Sequence, residues 1–214
     1  MANRRVIVYG ANGHGKVVAD ALLASGTAVL GFVDDSTHLL GARVLGLPVL
    51  GGSAWLSREA PHGDVYVALG IGENRARRQV AGRCRSWGAH LLAVVHPRAT
   101  ISASARVAEG AVIMAGAVIN AEADIQEGAI INSGAIVEHE SVVGEYAHVS
   151  PNAAMGGTTR LGELSQLGIG ASVLPTITVG ARTIVGAGAV VARDLPEGVV
   201  AFGVPARVAR GVEG

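Results

Sequence analysis

The chain is expected to fold as a small α/β unit followed by a prism of stacked parallel β-rungs. Three observations predict this. Every sixth residue from Ile101 through Val191 is aliphatic, with no slip in register. The N-terminal segment opens with a short aliphatic run, a glycine turn and an apolar-periodic stretch. Aromatic residues make up 3% of the chain while glycines number 31, which suits short, tightly stacked rungs better than a core of bulky anchors.

Residues 1–96 read as alternating strands and helices. Val6–Tyr9 is a buried-strand run, and Gly10-Ala11-Asn12-Gly13-His14-Gly15 turns it into a helix over about 14–25. Further strands are expected at 28–33, 64–69 and near 91–95, with helices at 53–60 and 74–87. Strands joined by helices imply a parallel sheet whose ligands bind beyond the C-terminal strand ends. Gly10 to Gly15, the pair Asp34 and Asp35, and Gly70 all fall at such ends. The glycine spacing is GxxGxG, off the GxGxxG pattern of dinucleotide folds. It is compatible with a plain tight turn. The helix it opens and the carboxylates about 20 residues later favour phosphate held at a helix N-terminus, with Asp34 and Asp35 reading a ribose hydroxyl or a base edge. Lys16 reads as a solvated residue of the first helical turn.

The second part, residues 97–214, is dominated by the sixfold series, which includes Val107, Ile113, Ile119, Val137, Val149, Leu167 and Val185. Four residues after each aliphatic position stands a small one, such as Ala111, Ala129 or Ser141, and only Ile177 breaks that second series. A period of six fits neither a helix nor simple alternation. Six residues make one flat side with its corner, and three sides close a coil of about 18 residues. At that spacing His139, two residues after the inward Val137, has Gly157 as its counterpart one coil on and Pro175 after that. His139 therefore faces cleared backbone. The adjacent Glu140 is placed to fix its tautomer and raise its basicity.

Charge and cysteine content exclude several classes. Lys+Arg and Asp+Glu both number 17, giving no basic stripe for nucleic acid. No stretch is long and apolar enough to span a bilayer, and the start lacks the pattern of a signal peptide, so the expected compartment is the cytoplasm. The single cysteine, Cys84, allows no internal disulfide and no multi-cysteine zinc site, and it has no histidine beside it for a thiol relay. His38, His62, His90 and His96 are scattered and suggest no metal cluster, while Trp55 and Trp87 read as helix-face packing.

The hexads, the Ile131–Glu140 segment, Gly162-Glu163, Gly168-Ile169-Gly170 and the closing Phe202-Gly203-Val204-Pro205-Ala206 resemble hexapeptide-repeat acyltransferases. The N-terminal GANGHG turn and the Asp34-Asp35 pair narrow this further. Together these features resemble bacterial sugar acetyltransferases of the sialic-acid O-acetyltransferase (NeuD/PglD-like) group, especially N-acetyltransferases of nucleotide-linked 4-amino sugars of the bacillosamine or perosamine type.

The resemblance implies a left-handed parallel β-helix that forms a homotrimer, with acetyl-CoA as co-substrate in the groove between neighbouring prisms. It also implies an N-terminal Rossmann-like domain holding the nucleotide of a UDP- or GDP-sugar. By motif, His139 corresponds to the general base and Glu140 to the residue that tunes it. His148 and Gly157 correspond to the thioester end of acetyl-CoA, and Ile169 and Ala187 to its pantetheine. Relatives can carry glycine where this chain has Ala187. Asn12, Gly13 and His14 correspond to the phosphate- and sugar-binding turn, Asp34 and Asp35 to the base-binding pair, Gly70 to a further nucleotide contact and Asn132 to a polar residue near the acceptor. Direct transfer in a ternary complex is expected. Sugar O-acetylation of the sialic-acid type and a non-catalytic trimeric nucleotide-binding scaffold are the alternatives, since a histidine base serves an alcohol as well as an amine.

Overall fold

The computed structural model describes residues 4–212. The chain divides into two compact units, Met1–Pro97 and Arg98–Gly214.

The first unit contains β1 (Arg5–Tyr9), α1 (Gly13–Ala24), β2 (Val29–Val33), β3 (Arg43–Val44), β4 (Leu47–Gly51), α2 (Ser53–Glu59), β5 (Val65–Leu69), α3 (Asn74–Ser86) and β6 (His90–Leu91). They form one sheet in the order β3-β4-β2-β1-β5-β6. All pairings are parallel except that of β3 with β4. The central strand carries an unbroken aliphatic run because both its faces are covered, and Ile7 and Val8 are fully buried. The β3–β4 hairpin was not expected from the sequence. Its two-residue turn, Leu45 and Gly46, has φ of 51° and 75°, the signs of a type I′ turn. A leucine at the first turn position hides that turn, and Pro48 argues against a strand. The expected strand near 91–95 is two short pieces, His90–Leu91 and Val94–Val95.

The second unit is a left-handed parallel β-helix. Each two-residue rung pairs in parallel with the rung one coil on, as in Val112↔Ile130 and Ile136↔Ala154. The pairing runs without slippage because every coil repeats the same hexads. Three faces result. The His148 face carries rungs 112–113, 130–131, 148–149, 166–167 and 184–185. The Ile136 face runs from 100–101 to 190–191, and the Arg160 face from 106–107 to 178–179. The hexad aliphatics from Ile113 to Val191 fill the prism, and the small residues four positions on line its corners from within. Burying each aliphatic side chain contributes roughly 1.5–3 kcal/mol.

The residue that reverses the chain is the one just before each small residue. Glu122, Glu140, Asn152, Thr158, Leu164 and Arg182 hold positive φ there, as do Gly110, Gly116, Gly134, Gly170 and Gly188, and Thr176 does so before Ile177. A hairpin, Val199–Phe202 with Arg207–Gly211, closes the last coil. Among the described residues no helix is long and apolar enough to cross a membrane.

Candidate active site

In the first unit the ends of β1, β2 and β5 converge on a cleft of about 420 Å³, lined among others by Tyr9, Gly10, Asn12, His14, Asp34, Asp35, Gly70, Gln79 and Arg83. Three backbone segments cross at its floor. A Cβ on Gly15 would overlap the Gly10 carbonyl oxygen, and one on Gly70 would lie 2.7 Å from Gly15 Cα. Gly10 has φ of +103°, and its Cβ would fall 2.7 Å from Gly70 O. These three glycines are demanded by packing. Gly13, by contrast, meets nothing within 4 Å, so the α1 N-terminus is open at that point.

The two aspartates differ in how they are held. Asp34 accepts one backbone amide on each oxygen, from Ala11 and Ser36 at 2.8 Å. Asp35 accepts from Ser53 N at 2.6 Å, Ser53 Oγ at 2.9 Å and Tyr9 OH at 2.8 Å, with Arg83 Nη1 3.5 Å away. A carboxylate offers about four acceptor positions. Asp35 is thus nearly saturated and braces the start of α2, while Asp34 keeps capacity on both oxygens. Burial alone would raise both carboxyls. The donors around them outweigh it and hold both below the usual value. Burial pushes the Tyr9 hydroxyl up to about 12.

His14 is lowered to about 4, first by burial and then by the nearby Arg77 guanidinium. Arg77 itself is fully buried and donates to the Ile71 and Gly72 carbonyls at 3.1 and 2.9 Å, shaping the loop after β5. Arg77, Gln79 and Arg83 were not singled out from the sequence, because their positions depend on α3 meeting the strand ends, nor was Tyr9, whose hydroxyl reaches Asp35 and Ser53 across the sheet. Cys84 is buried, and burial pushes its thiol up to about 12, far from a reactive thiolate.

In the prism, His139 and Glu140 stand on the corner between the Ile136 and Arg160 faces. His139 Nδ1 lies 3.0 Å from Glu140 Oε2. The carboxylate can only accept, so Nδ1 carries a proton, and in the neutral ring the lone pair is then on Nε2. Nε2 is also the atom aimed at Gly157, where a Cβ would lie 2.5 Å from it. Both side chains are 56% exposed, leaving the ring accessible.

The remaining prism candidates lie elsewhere on the same unit. His148 is on the face opposite that corner, where its Nε2 is 3.0 Å from Asn132 Nδ2. Expected by resemblance to meet the acceptor and acetyl-CoA respectively, Asn132 and His148 are neighbours. Ile169 and Ala187 occupy the corner after the His148 face, where Gly188 N donates to Ile169 O at 2.9 Å. Ile169 is 61% exposed. A single prism therefore brings together His139, Glu140 and Gly157, and separately Asn132 and His148, but not the two groups. Among the described residues no group of His, Cys, Asp and Glu is placed to hold a metal.

A left-handed parallel β-helix with an exposed, carboxylate-braced histidine over a glycine, on a chain that also carries an α/β cleft, has the make-up of a hexapeptide-repeat acyltransferase. Comparison with known proteins makes this specific. Residues 5–84 match the model of the PglD N-terminal domain. A structure of GDP-perosamine N-acetyltransferase from Caulobacter crescentus, a histidine-to-alanine mutant in complex with CoA and GDP-perosamine, is 42% identical with a TM-score of 0.91. That match covers 97% of this chain and 97% of the other. The acetyltransferase domain of PglB from Neisseria gonorrhoeae, in complex with acetyl coenzyme A, is 38% identical with a TM-score of 0.90, covering 97% of this chain and 100% of that one. UDP-N-acetylbacillosamine N-acetyltransferase of Bacillus subtilis is 37% identical over 123 residues, spanning 52% of this chain and 52% of that protein. The chain belongs to this PglD-like family of nucleotide-amino-sugar N-acetyltransferases.

Proposed function

We propose that this protein transfers the acetyl group of acetyl-CoA to the amino group of a nucleotide-linked (UDP- or GDP-) 4-amino sugar, with His139 as general base. The observation that carries the proposal is the geometry of that histidine: Nδ1 is tied to Glu140 and Nε2 is free over Gly157. The relatives support the substrate class, since one structure holds CoA with GDP-perosamine and another holds acetyl coenzyme A.

In this reaction the amine nitrogen attacks the thioester carbonyl while Nε2 takes its proton. The C–N bond forms, the C–S bond breaks, and CoA leaves as a thiol after receiving the proton from the imidazolium. Glu140 stabilises that imidazolium. The Gly157 amide is the donor for the developing oxyanion. The cleft of the first unit takes the nucleotide. Asn12 and Gly13 at the open helix N-terminus, with His14 and Gly70, hold phosphate and sugar, and Asp34, with acceptor capacity left, holds the base beside Asp35, which braces α2.

The working form is a homotrimer in the cytoplasm. Each prism separates His139 from Asn132 and His148, so a second copy supplies what one lacks. Charge supports this arrangement. The outward strand residues of the Arg160 face include Arg106, Asp124 and Arg160, whereas those of the other two faces, such as Val118, Ile136, Ala154, Gln166 and Ile184, carry none. Ile169 and Ala187 then flank the pantetheine arm.

Incubation with acetyl-CoA and a panel of UDP- and GDP-linked amino sugars, read by product mass, tests the reading. One acceptor should gain an N-acetyl group, and His139→Ala should lower kcat by on the order of a hundredfold or more. If no member of the panel is acetylated, the proposal fails.

A further inference from the structure

The turn that carries Gly157 differs from its neighbours. In the usual hexad corner the buried small residue donates its amide back to the carbonyl three residues earlier, as Ala135 does to Asn132 at 3.0 Å and Ala153 to Ser150 at 3.0 Å. Thr159 donates instead to the hydroxyl of Ser141, one coil below, at 3.1 Å. That hydroxyl donates in turn to Gly156 O at 2.9 Å, the carbonyl the Thr159 amide would otherwise meet. Thr159 Oγ1 also donates to Gly156 O, at 2.9 Å. Ser141 Oγ is thus wedged into the 156–159 turn, bridging a donor and an acceptor that bond directly elsewhere. Ser141 and Thr159 are both fully buried. A hydroxyl is stable there because it both donates, to Gly156 O, and accepts, from Thr159 N.

The same residue closes the turn below. Ser141 N donates to Glu138 O at 3.3 Å, completing the corner that holds His139. Thr158 N donates to His139 O at 2.9 Å, a second tie between the two turns. One side chain therefore belongs to the histidine turn and props open the glycine turn.

We propose that Ser141 is a positioning residue: its hydroxyl sets the Gly157 peptide at the separation from His139 Nε2 that acyl transfer requires. This rests on the reading that His139 is the base. An internal control exists, because Ser165 Oγ makes the same wedge at the 180–183 turn, donating to Gly180 O at 2.7 Å and accepting from Thr183 N at 2.9 Å, on a corner without His139.

The test compares Ser141→Ala, Ser165→Ala and Ser141→Thr in the full-length protein. Alanine already stands at the equivalent place one coil below, Ala123, so Ser141→Ala is expected to fold. Its kcat should fall on the order of tenfold or more, with KM for both substrates unchanged within about twofold. Ser165→Ala should lose comparable stability and keep kcat, and Ser141→Thr, which retains a hydroxyl, should recover most of the rate. An unchanged kcat in Ser141→Ala, or an equal fall in Ser165→Ala, overturns the proposal. A crystal structure of Ser141→Ala decides the geometric half without any turnover. Thr159 N should close onto Gly156 O and carry Gly157 away from its place beside His139, and a turn that stays open refutes the wedge. Failure of the wild type to acetylate any acceptor would count against the proposed function alone.

Discussion

At Gly10, Gly15 and Gly70 the α/β unit brings backbone segments so close that an added Cβ would collide with a neighbouring chain segment. The prism seats Gly134 and Gly170 at turn positions that Glu140, Asn152 and Arg182 fill elsewhere with φ near the same value. At those three crossings glycine answers a steric demand with no alternative. At an open turn such as Gly170 it relieves only the cost of left-handed backbone, about 1 kcal/mol for an ordinary residue, although Gly162, Gly168 and Gly180 of the same prism approach backbone as closely as the crossings do. Equal glycine content therefore says little about equal tolerance.

The sharpest way to break this contrast is Gly15→Ala. The new methyl would overlap the Gly10 carbonyl, so we expect a loss of about 3 kcal/mol or more, read by thermal denaturation, with loss of nucleotide binding. A variant with wild-type melting would show that the crossing can relax.

The next effect is in pH. The folded value of His14, about 4, lies below its ordinary value of 6.5. Between these values the unfolded chain binds more protons, so stability is complete above 6.5 and falls as pH drops towards 4. The loss reaches on the order of 3 kcal/mol. Asp34 and Asp35, held below 3.8, add their loss only at lower pH. Denaturant titrations at several pH values should show this fall in the wild type and a flatter curve in His14→Gln.

The smallest effect belongs to the prism. Gly170→Ala meets nothing within 4 Å but must hold φ of +66°, so it should cost about 1 kcal/mol by denaturant titration. A loss as large as that of Gly15→Ala would erase the distinction between a backbone crossing and an open turn.

The same contrast explains what could be read from the residues. The prism interior was legible because a strict period of six admits one stacking, and the contact of His139 with Gly157 follows from that stacking. The Asn132–His148 bond was not legible, because it depends on side-chain reach between neighbouring coils rather than on spacing. In the α/β unit the strand–turn–helix order was legible at the glycine turn. The β3–β4 hairpin was obscured by Leu45 and Pro48. Arg77 and Arg83 were not legible as site residues, because Arg77 finds its partners in the loop after β5 and Arg83 in Asp35 and Ser53, which only the fold brings to α3.

The unbroken coil-on-coil register also governs how this protein could change in length. An insertion of one whole coil between His139 and Ile169 would leave every later residue on its own face, merely one storey higher. An insertion of a single hexad would preserve the packing equally well, yet it would turn Ile169 and Ala187 by a third of a revolution onto another side. Length changes that the core cannot distinguish would thus be sorted by function, so viable variants should differ in steps of a full coil.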